Sequence, residues 1–156
     1  MIESDIPGFG KIRLKHVVFD YNGTIAVDGH LIPAAKDLLK TLSKDLVVHV
    51  ITADTFGTVR QQLSHIPCKV VILPQQEQHI EKLNYIRKTG LNETVCFGNG
   101  RNDRLMLKMA AIGIAVIQPE GASTEAIAAA DIVVNNITDG LEILIKLLRL
   151  KATLRS

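Results

Sequence analysis

Two short segments carry carboxylates, amides and glycines at spacings that suit phosphate chemistry: Asp20-Tyr21-Asn22-Gly23-Thr24 and Gly98-Asn99-Gly100-Arg101-Asn102-Asp103. Each follows an apolar run, Val17-Val18-Phe19 in the first case and Thr94-Val95-Cys96-Phe97 in the second. Such a run reads as a buried strand, and a carboxylate at its carboxyl end sits where open α/β sheets bind ligands. Gly23 and Thr24 can turn the backbone so that N–H groups face an anion. Two carboxylates, Asp20 and Asp103, converging on such a turn suit a divalent cation and a phosphate. Asn, Asp and Gly also favour turns with no chemical purpose. It is the pair of segments, in this order, that argues for a site.

The elements that must position these residues alternate regularly. Strands are predicted over His16–Asp20, Leu46–Thr52, Lys69–Leu73, Thr94–Gly98, Ile112–Ile117 and Asp131–Val134. Several are unbroken apolar runs rather than alternating ones, which suits a parallel sheet covered on both faces. Helices are predicted between them over Ala34–Leu42, Thr55–His65, Glu77–Thr89, Asn102–Ala111, Ser123–Ala129 and Ile137–Leu150. Pro33 opens the first of these, with Ala35, Leu38, Leu39 and Leu42 at helical spacing. The repetition predicts an α/β fold: a doubly wound, Rossmann-like parallel sheet of five or six strands with helices on both faces. Ile6-Pro7-Gly8-Phe9-Gly10 breaks the N-terminal segment and suggests an added edge hairpin.

Composition bounds the rest. The 156 residues fit one domain, residues 1–156, that buries about two-thirds of its unfolded surface. A net charge of +2, with scattered basic residues, gives no sign of a nucleic-acid partner. The longest strongly apolar stretch, Met109 to Ile117, is too short to span a bilayer. The start, Met1-Ile2-Glu3-Ser4-Asp5, is too acidic for a signal peptide, so the chain reads as cytoplasmic with no membrane partner. Cys68 and Cys96 lack metal-ligand spacing and read as reduced, buried thiols.

If Asp20 ends the first strand of the sheet, the next strand brings Thr52 and Ala53 to the same edge. A hydroxyl beside a backbone N–H is a common phosphate clamp, although Thr52 alone reads equally well as a helix cap. Lys82 lies in a helix that starts near the third strand's end, from which one ammonium could neutralise both a nucleophilic carboxylate and a phosphate. Asn99, Asn102 and Asp103 complete a loop beside a metal, with Asp103 the best ligand because it is the only carboxylate there.

In this order, Asp20-Tyr21-Asn22-Gly23-Thr24, Thr52, Lys82 and Gly98-Asn99-Gly100-Arg101-Asn102-Asp103 resemble the four motifs of the haloacid-dehalogenase-like hydrolase superfamily. The last motif, followed by Met106-Leu107-Lys108-Met109-Ala110 and Gly113-Ile114-Ala115, is similar to the phosphorylation domain of P-type ATPases and to their small soluble, phosphatase-like relatives. The resemblance covers about residues 15 to 150. It implies Mg²⁺ as cofactor, a phosphorylated substrate and a phosphoaspartyl intermediate on Asp20. Thr52 and Lys82 would bind the phosphate together with Gly23, Ala53 and Asn102. Asp20, Asp103, Asn99 and the backbone carbonyl of Asn22 would face the metal.

Two departures from the family pattern bear on rate. Asn22 stands where most of these phosphatases carry an acid–base Asp, and Asn99 where relatives carry a metal-binding Asp. An amide neither protonates a leaving oxygen nor activates water, so slow turnover is expected; Asp54 is a candidate substitute. A catalytically weak regulatory or binding domain of the same fold is the alternative. A receiver-like domain fits poorly, because its acceptor Asp lies on the third strand. The intervals from Asp20 to Thr52 and from Thr52 to Lys82 leave no room for a cap domain. An uncapped site admits either a small molecule or a phosphorylated macromolecule. Asp28-Gly29 between apolar pairs predicts a hairpin whose Ile25, Val27, Leu31 and Ile32 would lie exposed unless covered in a homodimer or homotetramer.

Overall fold

A computed structural model describes residues 1–53 and 57–156. The predicted helix start at Thr55 and the candidate Asp54 lie outside the described residues. Among the described residues the elements in chain order are β1 (Ile2–Ile6), β2 (Gly10–Leu14), β3 (His16–Asp20), β4 (Ala26–Val27), β5 (His30–Leu31), α1 (Ala35–Leu42), β6 (Val47–Thr52) and α2 (Val59–Gln62). They continue with β7 (Lys69–Ile72), α3 (Gln78–Thr89), β8 (Thr94–Gly98), α4 (Arg104–Met109), β9 (Ile112–Val116), α5 (Thr124–Ala129), β10 (Ile132–Val134), α6 (Ile137–Ile145) and α7 (Leu147–Leu154).

Six of these strands form a parallel sheet in the order β10-β9-β8-β3-β6-β7. The first strand of the sheet, β3, is central, and the chain winds outward from it in both directions. That is the doubly wound arrangement expected from the apolar runs. It places the topological switch point at the carboxyl ends of β3 and β8, where ligands bind in open sheets.

The two-residue period of a strand decides what each face holds. Val17 and Phe19 point into the larger core, where Phe19 stacks on Phe97 of β8 with ring centroids 4.8 Å apart. Residues of α1, α2, α6 and α7 close that face. Val18, Ile51 and Cys96 point the other way, into a core shared with Leu83 and Ile86 of α3, Met106 and Leu107 of α4 and Ala126 of α5. Asp20 is in phase with Val18, so its carboxylate emerges on the face that α3 covers. Among the described residues no separate cap domain is evident.

Three local expectations change. The N-terminal hairpin forms, but β1 and β2 make a sheet of their own rather than an edge of the main one. A single residue, Lys15, joins β2 to β3, and both sides of β3 are already paired with β6 and β8, so the hairpin cannot reach an edge. The predicted helix over Ile137–Leu150 is broken at Lys146. The break turns α7 toward β1 and buries Leu150. The hairpin around Asp28-Gly29 is present as β4 and β5, with both turn residues at positive φ (50° and 77°), as a tight two-residue connection requires. Its apolar residues are not an exposed strip, however. Ile25, Ala26 and Leu31 are buried in the larger core, and Val27 and Ile32 are half-buried. Gln62 of α2 holds the turn, donating to the Gly29 carbonyl at 2.8 Å and accepting from Leu31 N–H at 2.7 Å.

Candidate active site

The chain packs an ammonium between two carboxylates at the switch point. Lys82 reaches down from α3 and donates to Asp20 Oδ1 and to Asp103 Oδ1, each at 2.6 Å. Its side chain is 1% exposed, and Asp103 is fully buried. A buried lysine is costly unless paired, and here both partners are anionic. Burial alone would lower the Lys82 pKa, but Asp20 and Asp103 reverse that and hold it above the ordinary lysine value. Burial raises the Asp20 carboxyl to about 7, helped by the nearby charge of Asp103 and opposed by Lys82 and Thr24.

Each carboxylate has a second anchor. Asp103 Oδ2 accepts from the backbone N–H groups of Asn99 at 3.0 Å and Gly100 at 2.8 Å. Those bonds close the turn Arg101–Asp103 onto the end of β8. Gly98 is required there, because a Cβ on it would lie 2.6 Å from the Asp103 carboxylate. Asp20 Oδ2 accepts from the Thr24 hydroxyl at 3.2 Å, and the same hydroxyl lies 3.3 Å from Asn99 Oδ1. One hydroxyl carries one hydrogen, so Thr24 divides it between the two acceptors. Thr24 thereby joins the two segments that the sequence singled out.

The turn after Asp20 is built on Tyr21, whose carbonyl accepts from the N–H groups of Thr24, Ile25 and Ala26. Gly23 sits at φ +78°. Its N–H donates to the Ala26 carbonyl at 2.8 Å, which corrects the expectation that this N–H faces an anion. The side chain of Asn22 is exposed at the rim. Thr52 is buried at the end of β6, beside the end of β3, and half-buried Ala53 follows it. Asn102 bonds to α3, its amide donating to Gln78 Oε1 at 2.6 Å.

Four residues outside the predicted site set belong to this edge: Thr24, Gln78, Gln118 and Glu120. Gln118, just beyond β9, donates to the carbonyls of Gly23 and Thr24, and its Oε1 accepts from Ile137 N–H at 3.3 Å. Glu120 Oε1 accepts from Asp28 N–H at 2.9 Å. The loop is tied down further by Ser123 N–H to the Asn99 carbonyl at 2.8 Å and by the Asn99 amide to the Gly121 carbonyl at 3.0 Å. Local sequence places Gln118 and Glu120 just after an apolar strand, at the carboxyl edge of a parallel sheet, but not which loop they meet there.

The donor set suits a hard cation such as Mg²⁺, which takes one or two carboxylates and keeps several waters. Asp20 Oδ2, Asn99 Oδ1 and the Asn22 backbone belong to one edge. Asp103 gives three of its roughly four lone-pair positions to Lys82 and the two N–H groups. Among the described residues no three His, Cys, Asp or Glu side chains group closely enough to hold a metal by themselves. A cation here would therefore rely on amide or carbonyl oxygen, water and substrate phosphate as well.

Comparison with known proteins agrees with the fold. Residues 72–142 match the family described as haloacid dehalogenase-like hydrolase. An uncharacterized protein of Methanocaldococcus jannaschii is 46% identical over 74 residues, which are 47% of this chain and 80% of that protein. Among solved structures, 3-deoxy-D-manno-octulosonate 8-phosphate phosphatase from Moraxella catarrhalis, in complex with magnesium, phosphate and KDO, superposes with a TM-score of 0.71. It is 17% identical, and the match covers 85% of this chain and 86% of that one. The cobalt-bound deoxy-D-mannose-octulosonate 8-phosphate phosphatase from Haemophilus influenzae gives a TM-score of 0.72 at 15% identity, covering 86% and 88%. The chain belongs to the haloacid dehalogenase-like hydrolases.

Proposed function

We propose that this protein is a cytoplasmic, Mg²⁺-dependent phosphohydrolase or phosphotransferase that works through a phosphoaspartyl intermediate on Asp20, with slow turnover. The observation that carries the reading is Lys82, buried at the sheet's carboxyl edge and bonded at 2.6 Å to both Asp20 and Asp103. An ordinary structural lysine is not drawn into the interior by two carboxylates at a switch point. The family membership supports the same chemistry, as do the Mg²⁺ and Co²⁺ carried by the two phosphatase neighbours.

In this reading one oxygen of the Asp20 carboxylate attacks phosphorus, and the bond from phosphorus to the leaving oxygen breaks. Lys82 and the Thr52 hydroxyl offset the charge of the equatorial phosphate oxygens. Water then attacks phospho-Asp20, which returns the carboxylate and releases phosphate and a proton. Asp103 holds Lys82 in place through both steps. A bound divalent cation would supply further charge neutralisation, held by Asp20, Asn99 and the Asn22 carbonyl with the support of Asp103. Asn22 gives the leaving oxygen no proton and the water no base, so both steps depend on a good leaving group. That is the respect in which the site resembles the phosphorylation domain of P-type ATPases. The substrate is a phosphorylated small molecule or a phosphate displayed on a macromolecule, and a homodimer or homotetramer would cover the open edge.

The test is hydrolysis of acetyl phosphate and p-nitrophenyl phosphate with Mg²⁺, beside Asp20→Asn. Loss of activity and of acid-stable, hydroxylamine-sensitive phosphate labelling in the variant is expected. Wild-type activity in Asp20→Asn would overturn the mechanism.

A further inference from the structure

Glu120 is the residue at this edge that the proposed chemistry leaves unused. It is exposed, and its carboxylate accepts from Asp28 N–H through Oε1 at 2.9 Å. The other oxygen, Oε2, lies against Gly23: a Cβ built there would be 2.6 Å from it. The same Cβ would collide with the side-chain amide nitrogen of Asn99. Thus the Glu120 carboxylate and the Asn99 side chain converge on one face of Gly23, beside the Thr24 hydroxyl that links Asn99 to Asp20. The loop bearing Glu120 is wired to that edge through Gln118, Gly121 and Ser123. Asn99 is neutral, and its neutrality removes an anionic oxygen from the place where a hard cation favours one.

We infer that Glu120 restores to the cation-binding edge the negative charge that Asn99 lacks. The inference rests on the reading of this edge as a divalent-cation site. Glu120 acts through charge and position from outside the ligand set, since among the described residues no three carboxylate, imidazole or thiolate side chains group tightly enough to hold a metal. Its anchorage to Asp28 also couples the hairpin β4–β5 to the cation: the bond that orients the carboxylate adds to the two by which Gln62 holds the turn. Groups just outside a metal's ligands typically contribute 10- to 100-fold in affinity.

The experiment is Mn²⁺ binding to the full chain, followed by the electron paramagnetic resonance signal of free Mn²⁺, with no substrate present. Glu120→Gln can still accept the Asp28 N–H bond but removes the charge, so positional and electrostatic roles separate. Binding about tenfold weaker or more, with the metal-free melting temperature unchanged, is the expected result. Adding Asn99→Asp to Glu120→Gln should recover most of the lost affinity. If Glu120→Gln binds Mn²⁺ as wild type does while Asp20→Asn does not, Glu120 is idle and the phosphatase reading stands. If wild type takes up no Mn²⁺ at millimolar concentration, the cation site itself is refuted and the inference falls with it. A lowered metal-free melting temperature in Glu120→Gln would make the residue a structural brace and overturn the inference.

Discussion

The residue on which most depends is Lys82, because its ammonium is the counter-ion of two buried carboxylates at once. Lys82→Ala leaves Asp20 and Asp103 facing each other without it, and removing one partner of a buried ion pair costs about 3–5 kcal/mol. Urea unfolding of Lys82→Ala should show a loss of that order, together with loss of phosphatase activity. A variant as stable as wild type would mean that the triad is solvated in solution. Asn22 makes the opposite prediction. Its exposed side chain sits at the rim, so Asn22→Asp introduces an acid–base group without disturbing the core. Turnover should rise by ~10-fold or more, within the range such groups supply, and more for alkyl than for aryl phosphates. Single-turnover kinetics with both esters measures this, and a slower variant would refute the argument from the missing acid. The ordered motifs singled out Asp20, Lys82 and Asp103, which the structure brings within hydrogen-bond distance, and Asn99, which Thr24 links to them, while the Asn22 side chain stands exposed. Thr24, Gln118 and Glu120 were not read as site residues. Their roles depend on which loop end meets which, and a crossover fixes that rather than local spacing.

Among the elements, the six sheet strands were read from the sequence within a residue at each end, since unbroken apolar runs leave little choice of conformation. Helix ends were harder. Nothing in Leu144-Ile145-Lys146-Leu147 announces the break between α6 and α7, which serves packing against β1. The amphipathic pattern likewise could not reveal a polar thread through the smaller core. His16 of β3 meets His49 of β6 at 3.0 Å, and His49 meets the Tyr85 hydroxyl of α3 at 2.7 Å. Burial, then the neighbouring His16 and Lys69, hold His49 down to about 4, against an ordinary imidazole at 6.5. His16 is lowered too, chiefly by burial. As pH falls, the unfolded chain takes up these protons before the native one does. Stability is thus fully present above about pH 6.5 and lost progressively toward pH 4. Unfolding midpoints at pH 7.5 and pH 5 should differ clearly in wild type and much less in His49→Gln. Equal differences in the two proteins would remove His49 from the acid sensitivity.

At the scale of the whole molecule, no cap is evident among the described residues over the carboxyl edge of the sheet, between the hairpin β4–β5 and the loop after β9. An open edge discriminates weakly by size. Phenyl phosphate and a bulkier aryl ester of equal leaving-group acidity should give kcat/KM values within about tenfold, since no pocket contact worth several kcal/mol separates them. A strong preference for the smaller ester would mean that something covers the site. Sedimentation at micromolar concentration then decides whether the cover is a second copy. The sequence argument for such a copy rested on an exposed apolar hairpin, and burial of Ile25 and Leu31 in the chain's own core, with Val27 and Ile32 half-buried, weakens that motive. The placement of β3 has a consequence of another kind. The strand that ends in Asp20 is synthesised well before one of its two partners: it pairs on one side with Val47–Ile51 and on the other with Thr94–Phe97. Long-range parallel pairing of this sort is slow to form. A nascent chain would therefore display Val17, Val18 and Phe19 unpaired on one flank until β8 leaves the ribosome, and that interval is when the protein most needs a chaperone.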